Sequence, residues 1–334
     1  MLQALIDVPV HEEMAAALRP LVNLRTVAPL EARRKLPPEL LVDSDILFCT
    51  MPPSNFELMS KLRWIQLSSA GYGQVLGLGL VERGIVVTNS RGCFDVPIAE
   101  WNVAMMVNLA RSLRKMIRNQ ENAVWERPAE FQREIRGLRV GLWGYGGIGR
   151  ETARLARAMG MEVWVLSRGG IHPTGDVYAV PGTGDRDGTL PHRVFLKGQE
   201  REFLAGLDFL ILAMPLTPAT EGIVGEAELR ALPPSAYVLN PARGPLIQQE
   251  ALLRALRENW IAGAALDTHY QYPLPPDHPL WAMQNVILTP HISGSSLSPY
   301  FIPRVWEIFS ENVGRFHAGK PLLNQLSTAQ LSGA

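Results

Sequence analysis

Residues 141–168, GLWGYGGIGRETARLARAMGMEVWVLSR, restrict the fold of this chain more than any other stretch. They hold Gly144-x-Gly146-x-x-Gly149, a spacing that is a weak signal by itself. The context strengthens it. Leu138–Trp143 reads as a strand, a helix runs from the glycines to about Gly160, and Val163–Leu166 reads as the next strand. Strand, glycine turn, helix and strand within about thirty residues form the unit that cradles a dinucleotide. Gly144 permits the tight turn, Gly146 lets a diphosphate approach the backbone, and Gly149 lets the helix pack against the sheet. The helix start then offers free N–H groups to the anion. The second strand ends Leu166-Ser167-Arg168, with no acid. An acid there would hold ribose hydroxyls, whereas an arginine suits a 2′-phosphate. The residues therefore favour NADP over NAD, the alternative being that Arg168 stacks on adenine or faces solvent.

On either side of this unit the chain alternates short apolar runs with helical segments. Gln3–Val8, Ile46–Cys49, Trp64–Leu67 and Ile85–Thr88 read as strands before it. Phe209–Ala213, Tyr237–Asn240, Gly263–Leu266 and Val286–Thr289 read as strands after it. Alternating β and α elements imply mainly parallel sheets. Pro97–Asn119 has helical spacing and is apolar around much of its circumference. Such a helix is buried on more than one side, between two copies of the chain or between two domains. Residues 169–200 are rich in Gly and Pro and read as a surface excursion, with a short hairpin as one form for it. A last helix, from about Ser298 to Ala318, returns to the first domain and makes that domain discontinuous.

Lys plus Arg and Asp plus Glu balance at 32 each, so no basic excess points to nucleic acid or to an anionic membrane. No apolar run reaches the roughly 18–20 residues that span a bilayer. The first residues, with Asp7 inside the apolar run, read as a strand and not as a signal peptide. Cys49 and Cys93 make neither a disulfide framework nor a metal-ligand set. No metal site and a cytoplasmic setting are the expectations.

In an open parallel sheet, ligands bind beyond the carboxyl ends of the strands. Here those ends carry Gly144, Ser167-Arg168, Met214-Pro215, Asn240-Pro241-Ala242-Arg243, Asp267 and Pro290-His291. An arginine, an aspartate and a histidine thus arrive on three neighbouring strands. Together with MPLTPATEGIVG, VLNPARGPLIQQEALLRAL, GAALD and LTPHISGSS, they make the chain resemble the D-2-hydroxyacid dehydrogenase family. That family includes D-lactate and phosphoglycerate dehydrogenases, hydroxypyruvate/glyoxylate reductases and formate dehydrogenase, and HISGSSLS is particularly similar to the last.

The resemblance implies an α/β protein of two doubly wound parallel-sheet domains. One is a Rossmann-type NAD(P)-binding domain over residues 98–295, the other a flavodoxin-like substrate domain over 1–97 and 296–334. It implies that Arg243 grips a substrate carboxylate and carbonyl, and that His291 is the acid/base. It also implies cofactor contacts from Gly147, Ile148, Ser167, Arg168, Pro215, Thr220 and Pro241, beside the three motif glycines. Asp267 would receive the nicotinamide carboxamide, with Ser293 and Gly294 near the ring. Ser69, Ala70, Gly71 and Tyr72 match the loop whose N–H groups face the carboxylate. A small 2-keto or 2-hydroxy acid is the implied substrate, NAD(P) the implied cofactor and a homodimer the expected assembly.

One position departs from the pattern. The family places a glutamate five residues after the strand-end aspartate, where it bonds the histidine and raises its pKa. Here that residue is Tyr272, in DTHYQYPLPPDHPLW, and no acid lies between Asp267 and Asp277. Reduction of a keto acid needs a proton as well as a hydride. Three readings therefore stay open, the first favoured. They are a hydroxyacid dehydrogenase with a retuned histidine, a formate-type oxidation without a proton relay, and a catalytically weak nucleotide-binding regulator of the co-repressor kind.

Overall fold

The structure is a computed structural model and describes residues 1–127 and 132–332. These residues divide into two compact units. Unit 1 comprises Met1–Phe94, Gly175–Val180 and Ser296–Ala334, and unit 2 comprises Asp95–Thr174 and Pro181–Ser295.

In chain order, the first elements are β1 (Leu2–Asp7), α1 (Glu12–Leu18), β2 (Val22–Thr26), α2 (Pro38–Leu41) and β3 (Ile46–Cys49). β4 (Trp64–Leu67), β5 (Val86–Thr88), α3 (Asp95–Ala110) and α4 (Leu113–Glu121) follow. Then come β6 (Arg139–Trp143), α5 (Gly147–Ala158), β7 (Glu162–Ser167), β8 (Arg193–Leu196), α6 (Glu200–Leu204) and β9 (Phe209–Leu212). The chain continues through α7 (Glu226–Ala231), β10 (Tyr237–Asn240), α8 (Gln249–Arg257), β11 (Gly263–Leu266) and β12 (Val286–Leu288). It closes with α9 (Phe301–His317) and α10 (Thr328–Leu331).

Unit 1 is a five-stranded sheet of order β2-β1-β3-β4-β5, parallel throughout. β3 and β4 are buried along their whole length, as strands covered on both faces must be. One face packs on α9 through Trp306, Phe309 and Val313. Trp64 stacks on Phe309 with ring centroids 5.5 Å apart, and its indole N–H donates to Thr88 Oγ1 at 2.8 Å. The opposite face is filled by Leu36, Leu41, Phe56 and Met59.

Unit 2 is a seven-stranded parallel sheet of order β12-β11-β10-β9-β6-β7-β8. Counted from β6, this is the doubly wound order in which the winding reverses between β6 and β9. Because every strand is parallel, all the carboxyl ends share one edge. Two apolar layers cover the sheet, one built around α6, α7 and α8 and the other around α3 and α5.

The structure corrects two expectations. The single helix over Pro97–Asn119 is two, α3 and α4, because Ser112 between them takes a left-handed φ of 49°. α3 buries Met106, Leu109 and Ala110 in a core layer of unit 2, with Trp101, Val103, Met105 and Val107 packed against it, so its apolar circumference is largely spent within one chain. The excursion at residues 169–200 holds no hairpin. It ends in β8, which joins the sheet as a parallel edge strand beside β7.

Candidate active site

The glycine turn joins β6 to α5. Gly144 has φ of +101°, and a β-carbon there would lie 2.5 Å from the Ala213 carbonyl oxygen. A β-carbon on Gly149 would lie 2.7 Å from the Gly144 carbonyl oxygen, which keeps the helix close to the strand end. Gly146, the exposed N-cap of α5, has nothing within 4 Å of the same point. That open space sits where an anion would approach the first-turn N–H groups of Gly147, Ile148 and Gly149, and glycine has no side chain to close over them. The site therefore fits a dinucleotide diphosphate. The Asp95 carboxylate rests against Gly147, where a β-carbon would collide with it.

Beyond β7, the Ser167 hydroxyl donates to the Gly170 carbonyl at 2.8 Å, and Arg168 is exposed. Beyond β9, Thr220 Oγ1 donates to the Pro215 carbonyl at 2.8 Å and accepts the Thr217 N–H at 2.8 Å, closing that turn. Beyond β10, Asn240 shapes the turn that carries Arg243. Its Oδ1 accepts the N–H groups of Ala242 and Arg243 at 3.1 and 3.2 Å, and its Nδ2 donates to the Arg243 carbonyl at 2.8 Å. Pro241 is buried beneath, while the Arg243 side chain is exposed.

Asp267, beyond β11, is fully buried. Its carboxylate accepts from Thr289 Oγ1 at 2.5 Å, Ile292 N–H at 2.9 Å, Ser293 N–H at 3.0 Å and the Ser293 hydroxyl. A carboxylate offers about four acceptor positions, so all are taken. These bonds hold the loop after β12 that carries His291 and leads to Gly294. The Asp267 carbonyl also accepts the His291 N–H at 2.8 Å. His291 adopts φ of +58°, a left-handed conformation uncommon for residues other than glycine.

The pKa of His291 is lowered. Burial of part of the ring is the largest cause, followed by the Arg243 charge; Asp267 opposes the shift and His269 adds to it. Tyr272 stands beside His291 with ring centroids 5.5 Å apart, tilted by 48°. Its hydroxyl accepts the backbone N–H of His269 at 3.2 Å.

Unit 2 thus brings together the glycine turn, Arg168, Pro215, Thr220, Arg243, Asp267, Tyr272, His291, Ser293 and Gly294 along one sheet edge. Ser69, Ala70, Gly71 and Tyr72 follow β4 in unit 1. There Ser69 Oγ donates to the Gly71 carbonyl at 2.7 Å, and Asn89 Nδ2 donates to the Ala70 carbonyl at 2.6 Å. Sequence reasoning missed Asn240 and Thr289 as builders of the site. Their place at strand ends, next to Arg243 and His291, was the available signal.

A family model for the D-isomer specific 2-hydroxyacid dehydrogenase NAD-binding domain matches residues 103–293. A glyoxylate reductase of Thermofilum pendens is 32% identical over 263 residues, covering 76% of this chain and 74% of that protein. Among solved structures, a D-isomer specific 2-hydroxyacid dehydrogenase family protein of Aeromonas salmonicida superposes with a TM-score of 0.80. It is 26% identical and covers 97% of this chain and 98% of its own. A second, from Xanthobacter autotrophicus in complex with NADPH and MES, has a TM-score of 0.77 at 26% identity and covers 99% of each chain. Among the described residues, no helix is long and apolar enough to cross a membrane.

Proposed function

Because the chain belongs to the D-isomer specific 2-hydroxyacid dehydrogenase family of NAD(P)-dependent oxidoreductases, we propose that it reduces a small 2-keto acid of the glyoxylate or hydroxypyruvate type, with NADPH favoured. The observation that carries this reading is the arrival of Arg243, Asp267 and His291 at the ends of β10, β11 and β12, with Asp267 tying down the His291 loop. The exposed Arg168 beyond β7, with no acid beside it, supports the choice of NADPH. So does the NADPH held by the Xanthobacter protein.

When bound, the nicotinamide supplies the hydride. Gly146, Gly147, Ile148 and Gly149 would hold its diphosphate, Arg168 and Ser167 its adenosine end, and Pro215, Thr220, Pro241, Ser293 and Gly294 the remainder. Arg243 grips the substrate carboxylate through two parallel N–H bonds and polarises the carbonyl. His291 delivers the proton to the carbonyl oxygen as the imidazolium. In unit 1, the Ser69, Ala70, Gly71 and Tyr72 loop would present backbone N–H groups of the kind that suit a carboxylate. Asp267 was expected to meet the carboxamide. With its four acceptor positions engaged, we assign it to fixing the His291 loop, and a carboxamide contact would displace one of those donors.

Tyr272 supports a second reading. It puts a phenol ring, not a carboxylate, beside His291, and an oxidation that releases no alkoxide needs no acid. A panel of glyoxylate, hydroxypyruvate, pyruvate, bulkier keto acids and formate, with both cofactors in both directions, separates the readings. Keto-acid reduction with NADPH is the expected result. Formate oxidation alone would select the second reading. Tight cofactor binding without turnover would leave a nucleotide-binding regulator. We further propose a homodimer formed through the exposed apolar face of α4 and the residues after it, where Leu113, Ile117, Val124 and Trp125 face solvent.

A further inference from the structure

His269 lies two residues beyond Asp267 and is 6% exposed. Its Nε2 is 2.9 Å from the Thr289 carbonyl oxygen. A carbonyl only accepts, so Nε2 carries the proton and the neutral tautomer is fixed. Nδ1 is then a bare lone pair, buried and without a partner among the described residues.

The Thr289 carbonyl also accepts the backbone N–H of His291 at 3.1 Å. The left-handed His291 is therefore held through two carbonyls, those of Asp267 and Thr289, and His269 anchors the second. His269 acts from another side as well. Its backbone N–H donates to the Tyr272 hydroxyl at 3.2 Å, and the Tyr272 ring flanks His291. The Arg243 turn rests on the same residue: a β-carbon on Gly244 would lie 2.6 Å from the His269 carbonyl oxygen.

We infer that His269 is a positioning residue for His291, working as a neutral Nε2–H imidazole that pins Thr289 and Tyr272 around the catalytic ring. This rests on the reading of His291 as the proton donor. The charged and titratable groups around the pair are Arg243, Asp267, the Tyr272 phenol and His278, with Glu250 and Asp277 acting on His278. Asp267 is already spent on the loop. A second imidazolium at His269 would add a cation beside Arg243 and His291, and would turn Nδ1 into a buried donor with no acceptor. The proton belongs on His291.

The test uses the whole chain and two variants. His269→Phe keeps the ring size and removes the donor; His269→Gln keeps an N–H within reach of Thr289 and removes the titratable ring. With NADPH and the best keto acid, His269→Phe should lower kcat by roughly 10- to 100-fold, the scale of a misplaced catalytic group. Cofactor affinity should hold. His269→Gln should recover most of that rate. Recovery of kcat by the conservative variant, at unchanged cofactor affinity, is a result that a purely structural role would not give. Histidine ¹⁵N NMR of the protein without substrate should find His269 as the Nε2–H tautomer. An Nδ1–H tautomer, or equal rates for the two variants, would overturn the inference. Absence of keto-acid turnover in the wild type would fail the dehydrogenase reading instead, while the NMR measurements would still decide the state of His269.

Discussion

His291 has an aromatic neighbour where a carboxylate would hold its proton, and its pKa is lowered by burial first and by Arg243 second. The sign follows directly. The donor form is the imidazolium, so kcat/KM falls as pH rises through a pKa that lies below the ordinary 6.5. Tyr272→Glu should move that fall upward by roughly one to three pH units, the usual effect of an adjacent opposite charge. A wild-type profile flat into the alkaline range would contradict the assignment of His291. Arg243→Lys should lose keto-acid rate and affinity while cofactor binding persists, because a point charge does not replace a two-bond fork. The glycines make a paired test. Gly144→Ala forces a β-carbon to 2.5 Å from the Ala213 carbonyl at a φ of +101°, and should destabilise the fold. Gly146→Ala meets nothing within 4 Å and should melt like the wild type yet bind cofactor at least tenfold more weakly. Equal cofactor titrations for Gly146→Ala and wild type would exclude the proposed diphosphate cradle. Arg243, Asp267 and His291 were legible as strand-end residues because strand periodicity locates strand ends. The bond from His269 to Thr289 spans twenty residues between two loops, and no local pattern encodes it.

Among the elements, strands buried on both faces were legible nearly to the residue, as at Ile46–Cys49, Trp64–Leu67 and Gly263–Leu266, because their apolar runs are continuous. β2 and β8 escaped because each is an edge strand with only one fully buried residue, Val22 and Phe195 respectively. The break between α3 and α4 escaped because it falls on Ser112, whose left-handed conformation has no signature in neighbouring residues. The excursion after β7 is ordered by long-range bonds of the same unpatterned kind. Arg150, in the first turns of α5, donates to the carbonyls of Tyr145, His172 and Asp185. Its guanidinium also lies over the Tyr145 ring, 4.9 Å from the centroid. The Tyr145 hydroxyl donates to the Asp185 carboxylate at 2.6 Å, which in turn accepts the N–H groups of Thr189 and Leu190, each at 3.0 Å. One arginine thus fastens the excursion to the glycine turn. Arg150→Leu should cost about 3 kcal/mol, since bonds to a charged donor contribute roughly 1.5–3 kcal/mol each and neighbours recover part of the loss. A lower melting temperature and new proteolytic cleavage within residues 169–190 are the expected signs. A variant that melted and resisted protease like the wild type would show that the excursion is held by other contacts.

For the molecule as a whole, the open question is what covers the apolar surface that α4 and its following residues present. α3 gives most of its apolar face to α5 and the sheet, so the case for assembly rests on the next segment. Arg114 anchors α4 to the carbonyls of Trp281, Met283 and Val286, which fixes the helix while turning Leu113 and Ile117 outward. Val124 and Trp125, in the residues just after α4, are exposed as well, Trp125 to 91%. Large apolar side chains clustered on a surface mark an interaction site, and tryptophan is the residue type most often found at the centre of one. A second copy of the chain is the occupant that needs no other molecule, and a two-fold axis would let each copy's patch meet its twin. The formal net charge is zero, so two copies approach without long-range repulsion. Sedimentation at micromolar concentration should give twice the 36.9 kDa chain mass. Trp125→Asp should weaken the dimer by at least about 30-fold, the equivalent of a hot-spot residue worth 2 kcal/mol. Trp125→Asp combined with Ile117→Asp should leave a folded monomer with unchanged cofactor affinity, because neither residue belongs to the proposed cofactor cradle. A wild-type monomer at that concentration would reject the dimer, whereas a double variant that stayed dimeric would move the interface to another face.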